Sequence, residues 1–84
     1  MKRLIIDKVA SKDLIGLPRR DRQRIEQRIE AYAADPASRA HDVVKIVGAE
    51  SLLRLRVGDW RVILQLDENT VSVLRVRHRR EAYR

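Results

Sequence analysis

Three segments in the second half of the chain alternate in character at every second residue, and that period leaves few folds open. They read LLRLRV over 52–57, WRVILQL over 60–66 and VSVLRV over 71–76. Such alternation sends successive side chains to opposite faces of a strand. Gly58–Asp59 separates the first two segments, and Asp67-Glu68-Asn69 the last two; both are turn-forming combinations. Strands joined this closely form an antiparallel meander. The short β-branched run from Val43 to Val47, closed by Gly48, predicts another strand ahead of it, and Leu4, Ile5 and Ile6 predict a first one.

The intervening stretch has a different period. Ser11, or the residues just before it, opens a short helix carrying Leu14 and Leu17, which Gly16 and Pro18 break. Proline is tolerated in a first helical turn, so Pro18 starts a second, longer helix. Ile25, Ile29 and Tyr32 recur at helical spacing as one apolar stripe, and Arg22 and Glu26 are placed for an ion pair on the wet face. Asp35–Pro36 ends that helix. The expected fold is α+β: two N-terminal helices, joined as a hairpin, on one face of a mainly antiparallel sheet of about four strands. With 84 residues and no linker or repeat, residues 1–84 read as a single domain.

Composition narrows the function classes. The absence of cysteine removes disulfides and thiolate metal sites, which suits a cytoplasmic protein with no metal and no cofactor. No apolar run is long enough to span a membrane, and Asp7 interrupts the N-terminal segment too early for a signal peptide. The net charge of +7 favours a polyanionic partner. Fifteen of the 19 basic residues are arginine, whose planar fork grips phosphate at two points, although a GC-rich genome would produce the same bias.

Position separates these readings better than composition. All eight basic residues after position 50 are arginines, against four acids. Leu53, Leu55 and Val57 share one side of their strand, as do Trp60, Val62, Leu64 and Leu66 in the next. In the last strand Leu74 and Val76 take that side, opposite Val71, Val73, Arg75 and Arg77. Turning the apolar side to the helices leaves Arg54, Arg56, Arg61, Arg75 and Arg77 on the other, with Arg79 next in phase. Neighbouring like charges repel, so the cluster costs stability unless a ligand needs it. A solvated sheet face would mix signs, and no acid shares the phase in any of the three strands. The pattern points to a phosphate-rich ligand lying across an open sheet.

The segment from 52 to 84 resembles the C-terminal half of RelE-type toxins of the RelE/ParE superfamily. The shared pattern is Arg-x-Arg-x-Gly-(Asp/Asn)-aromatic-Arg-(Val/Leu)-(Ile/Val), then a hydrophobic strand and a terminal His-Arg-x-x-x-Tyr. It falls on Arg54, Arg56, Gly58, Asp59, Trp60, Arg61, Val62 and Ile63, then His78, Arg79 and Tyr83. Lys45-Ile46-Val47-Gly48 sits at the family's Lys-Leu-x-Gly turn, and Ala10, Leu14, Leu17, Ile25 and Ile29 fit the helical half. The resemblance implies the toxin of a type II toxin–antitoxin system that cuts mRNA in the ribosomal A site of the 30S subunit. It also implies a cognate antitoxin, in a hetero-oligomeric complex that binds operator DNA through the antitoxin.

Such a reaction needs no metal, because the RNA 2′-hydroxyl attacks the adjacent phosphate. The enzyme aligns it, stabilises charge on the phosphoryl oxygens and assists the leaving oxygen. By similarity, Arg61 addresses the scissile phosphate, Arg79 the phosphate or leaving group, and Tyr83 a base or the hydroxyl. Arg54 stands where the family has a basic residue near the nucleophile, and Arg56, Arg75, Arg77 and Arg80 are expected along the RNA path. A lysine that RelE carries two residues before Arg54 is replaced by Leu52, and guanidinium does not act as a base. Histidine is the side-chain type that exchanges protons near neutrality, which makes His78 a catalytic candidate, although its phase matches Leu74 and Val76 on the core side. Trp60 is expected in the core, and His41–Asp42 in a solvated turn. Two other readings remain: a ParE-like poison of DNA gyrase, whose branch generally lacks the terminal His-Arg…Tyr set, and a catalytically weak antitoxin-binding module.

Overall fold

A computed structural model describes residues 2–49 and 51–82. Strand β1 (Arg3–Ile6) leads into helices α1 (Lys8–Ile15) and α2 (Arg19–Ala34). Strands β2 (Val43–Lys45), β3 (Leu52–Val57), β4 (Trp60–Leu66) and β5 (Thr70–His78) follow, and then a short helix, α3 (Arg79–Ala82). The sheet order is β1-β5-β4-β3-β2. All pairs are antiparallel except β1 with β5, which run parallel with Arg3 opposite Thr70 and Ile6 opposite Val73. The sheet therefore has five strands rather than about four, because the N-terminal strand joins the edge beside the last one.

The expected punctuation holds. Gly16 caps α1, and Pro18 occupies the N-cap of α2, just ahead of the first helical residue. Asp35 caps the other end of α2, and Pro36 cannot continue it. Ala10 and Leu14 from α1 and Ile25, Ile29, Tyr32 and Ala33 from α2 pack against Leu53, Leu55, Val57, Val62, Leu64, Val71, Val73 and Val76 in one buried cluster. Burial raises the Tyr32 phenol above its ordinary pKa. Arg22 and Glu26 form the expected pair at 3.8 Å.

The last strand departs from simple alternation. A register shift between Ile63 and Leu64 pairs Ile63 with Arg75 but Leu64 with Val73, so Leu74 is an extra residue in β5. This bulge moves Val71 and Val73 to the core, where both are buried, and corrects the expectation that they share a face with Arg75 and Arg77. Leu74 itself is half-buried. Beyond the bulge the phase is as expected, with Val76 buried and Arg75 and Arg77 on the other side.

Candidate functional site: an arginine face on the sheet

The register builds the face in two rows. Arg54, Ile63 and Arg75 lie opposite one another across β3, β4 and β5, and Arg56, Arg61 and Arg77 form the next row. Directly opposed residues have Cβ atoms about 5 Å apart, so the second row roots three arginines side by side. Acids from outside the three strands offset part of this charge. Asp42 pairs with Arg56, and Glu81 of α3 lies 4.0 Å from Arg77. Asp13 of α1 takes Arg75 Nε at 3.0 Å. Asp42 stands one residue ahead of β2, directly opposite Arg56, whose amide donates to its carbonyl at 2.9 Å, whereas Asp13 and Glu81 come from helices, which strand alternation does not reach.

Asp13 has a second role. The β1 ladder ends where the Asp7 amide donates to the Val73 carbonyl at 2.9 Å. Past that point the β5 edge has lost its neighbour. The Asp13 carboxylate takes its place, accepting the Val76 amide at 3.0 Å while holding Arg75.

Arg61 stands apart from its neighbours. It is the buried charged residue of the described chain, at 9% exposure, rather than a side chain projecting from the sheet. Its Nη1 donates to the Gly58 carbonyl at 2.8 Å and to the Trp60 carbonyl at 2.9 Å. Among the described residues no carboxylate lies within ion-pair distance of it. The two carbonyls fix the guanidinium while leaving Nε and Nη2 with their hydrogens. Arg61, Arg54, Arg56, Asp42 and Val44 line a hollow of about 170 Å³. A larger hollow, about 460 Å³, lies on the helical side among residues such as Tyr32, Pro36, His41 and Leu53. The candidate site is taken at the smaller hollow, where three arginines meet, rather than at the larger one.

The remaining candidates are distributed around this centre. β5 ends at His78, so Arg79 and Arg80 belong to α3 and strand phase no longer governs them. The Arg79 amide donates to the Asp59 carbonyl at 2.7 Å, and its Nε lies 3.8 Å from Asp59 Oδ1, at the β3–β4 turn. Arg80 is exposed. His78 is opposite Trp60, with the rings edge-to-face at 5.4 Å, and its Nδ1 accepts the Arg80 amide at 3.3 Å. It therefore sits on the core side, away from the arginine row, and Trp60 packs against the core. Tyr83 lies outside the described residues. His41 and Asp42 are engaged separately, with the Asp35 carbonyl and with Arg56. Among the described residues no group of three or more His, Cys, Asp or Glu is placed to hold a metal ion.

Residues 4–83 match the family model of the ParE toxin of the type II toxin-antitoxin system, parDE. The chain belongs to this family. Solved structures likewise support the toxin's membership of the RelE/ParE superfamily. It is similar to a chain of the RelB–RelE antitoxin–toxin complex from Methanococcus jannaschii, at 30% identity over 94% of each chain with a TM-score of 0.79. It is also similar to one in the archaeal RelE–RelB complex from Pyrococcus horikoshii OT3, at 28% identity over 96% of this chain and 98% of that one, again with a TM-score of 0.79. A chain of the E. coli DinJ–YafQ toxin–antitoxin complex shares the fold at a TM-score of 0.80 and 13% identity, covering 99% of this chain and 98% of that one. No curated protein sequence matches the toxin. No helix among the described residues is long and apolar enough to cross a membrane.

Proposed function

We propose that the toxin is an endoribonuclease that cuts mRNA in the ribosomal A site and is restrained by a cognate antitoxin. The observation that carries this reading is Arg61, buried, held by two backbone carbonyls and free of any carboxylate partner among the described residues. A guanidinium fixed in this way meets a phosphate with its orientation already settled, so little reorganisation accompanies charge development. The 2′-oxygen attacks the phosphorus as its proton passes to water, Arg61 stabilises the added charge on the phosphoryl oxygens through Nε and Nη2, and the bond to the 5′-oxygen breaks, leaving a 2′,3′-cyclic phosphate and a 5′-hydroxyl that takes its proton from water. Arg54 and Arg56 line the same hollow and draw the backbone in, while Arg79 stands at the turn beside it to assist the phosphate or the leaving group. Tyr83 is assigned to a base or the hydroxyl by resemblance. His78, on the core side beside Trp60, serves this scheme by shaping the junction of β5 with α3.

The partners follow from the relatives. RelE chains occur in complexes with RelB antitoxins, and a partner of this kind is assigned to the toxin, in a hetero-oligomer that reaches operator DNA through the antitoxin. A second reading, poisoning of DNA gyrase, is favoured by the ParE description of the matching family model.

Ribosome-dependent mRNA cleavage by purified variants tests the proposal. Arg61→Ala should lower the rate about 100- to 1,000-fold, the usual cost of one donor to a developing oxyanion. Arg61→Lys should also fail substantially, since a point charge cannot replace the fork. Arg20→Ala, on the exposed side of α2, should cut normally. Circular dichroism checks that each variant is folded, which matters for a residue this buried. Near-normal cleavage by folded Arg61→Ala would sink the mechanism, and inhibition of supercoiling without RNA cleavage would select the gyrase reading.

A further inference from the structure

The arginine face continues past the hairpin tip by a route that strand alternation does not show. Gly58 turns β3 into β4 with φ of +61°, a conformation that favours glycine. The bare Cα also leaves room for a neighbour. A methyl group built on it would lie 2.8 Å from Arg24 Nη1, 3.3 Å from Cζ and 3.4 Å from Nη2. The guanidinium of Arg24, sent down from α2, thus packs against the backbone of the turn and occupies the space a side chain would take. Arg61 Nη1 bonds to the carbonyl of the same glycine at 2.8 Å. Arg79 reaches the next residue, with Nε 3.8 Å from Asp59 Oδ1.

Three arginines from α2, β4 and α3 therefore converge on a two-residue turn, and one carboxylate, Asp59, answers them from beside Arg79. Neither Arg24 nor Arg61 has a carboxylate within ion-pair distance among the described residues. Arg24 is exposed, and its head lies against the same turn that Arg61 and Arg79 reach. That arrangement is repulsive when empty and favourable when an anion lies across it.

We propose that Arg24 is a further RNA contact, taking a second backbone phosphate where the strand leaves the sheet face and bends round the hairpin tip onto the helical layer. The proposal rests on the reading of the sheet face as an RNA surface. It adds a contact from α2, the element that carried no candidate in the sequence. Gly58 acts in this scheme by being small enough to seat the guanidinium.

The test is the salt dependence of binding to a short fluorescent oligouridine whose 2′-hydroxyls are methylated, so that it cannot be cut. Each phosphate contact on single-stranded RNA adds about 0.7 to the slope of log affinity against log salt concentration. Arg24→Ala and Arg24→Gln should each lower the slope by about 0.7, while Arg20→Ala, the same loss of charge elsewhere on α2, should leave it unchanged. Gly58→Ala should displace the guanidinium and lower the slope equally, and adding it to Arg24→Ala should bring no further drop in slope. In ribosome-dependent cleavage Arg24→Gln should raise KM and leave kcat alone, with an unaltered thermal midpoint. A wild-type slope in folded Arg24→Ala, or a slope that falls as much in Arg20→Ala, would overturn the contact while leaving the ribonuclease reading intact. Absence of salt-dependent binding by the wild-type toxin would remove the RNA surface, and this contact with it.

Discussion

Asp13 joins the helical layer to the arginine face. Its carboxylate, 19% exposed, accepts the Val76 amide at 3.0 Å and Arg75 Nε at 3.0 Å, so it completes a strand edge and offsets one cation of the cluster. Removing it leaves an amide of β5 without its acceptor. Asp13→Ala should therefore cost about 2 kcal/mol in urea unfolding, within the range for losing a hydrogen bond to a charged group. Asp13→Asn keeps an oxygen for the amide and should cost less than half as much. Equal stability of Asp13→Ala and wild type would show that water replaces the carboxylate at no cost. Neither this role nor the burial of Arg61 was legible in the sequence. Asp13 sits in a short helix 62 and 63 positions from its partners, with nothing local to mark it. The motif containing Arg61 was plain, but a two-residue period tells which face a side chain takes, not how deeply the carbonyls of Gly58 and Trp60 draw it in.

Among the elements, β3 and β4 follow the period closely: Leu53, Leu55, Val57, Val62 and Leu64 are all buried as their phase requires. β5 does not, because Leu74 interrupts the ladder. A signal was present. Val71 and Val73 stand two apart, Val76 stands three further on, and this skip in the spacing of valines marks the extra residue. The bulge predicts a contrast within one strand. Val73→Ala removes two buried methyl groups and should destabilise the toxin by about 2 kcal/mol or somewhat more. Leu74→Ala, half-buried at the bulge, should cost under about 1 kcal/mol, although it removes more carbon. Urea unfolding of the two variants decides it, and a larger loss at Leu74 would mean that the strand keeps a single phase. The junction of β5 with α3 was hidden for a related reason: once β5 ends at His78, Arg79 and Arg80 answer to a helical turn.

For the whole molecule, the two-layer α+β architecture and the helical hairpin were legible because apolar periods of two and of 3.6 are hard to confuse over long segments. The parallel pairing of β1 with β5 was not, since four apolar or charged residues at one edge say nothing of which strand they meet. The concentration of positive charge on one side of so small a body also frames the biological prediction. Soluble expression without an antitoxin should arrest bacterial growth, with amino-acid incorporation falling before DNA synthesis, and Arg61→Ala should relieve the arrest. Normal growth with confirmed soluble wild-type toxin would count against an active enzyme. The parallel pair carries one more consequence. β3, β4 and β5 close through short turns, whereas β1 must find a strand from the far end of the sequence, with Arg3 meeting Thr70. Local closures precede distant ones on folding pathways, because loop entropy is lost before distant contacts form. Loop entropy thus favours early closure of the meander that bears Arg54, Arg56, Arg61, Arg75 and Arg77, with docking of β1 following.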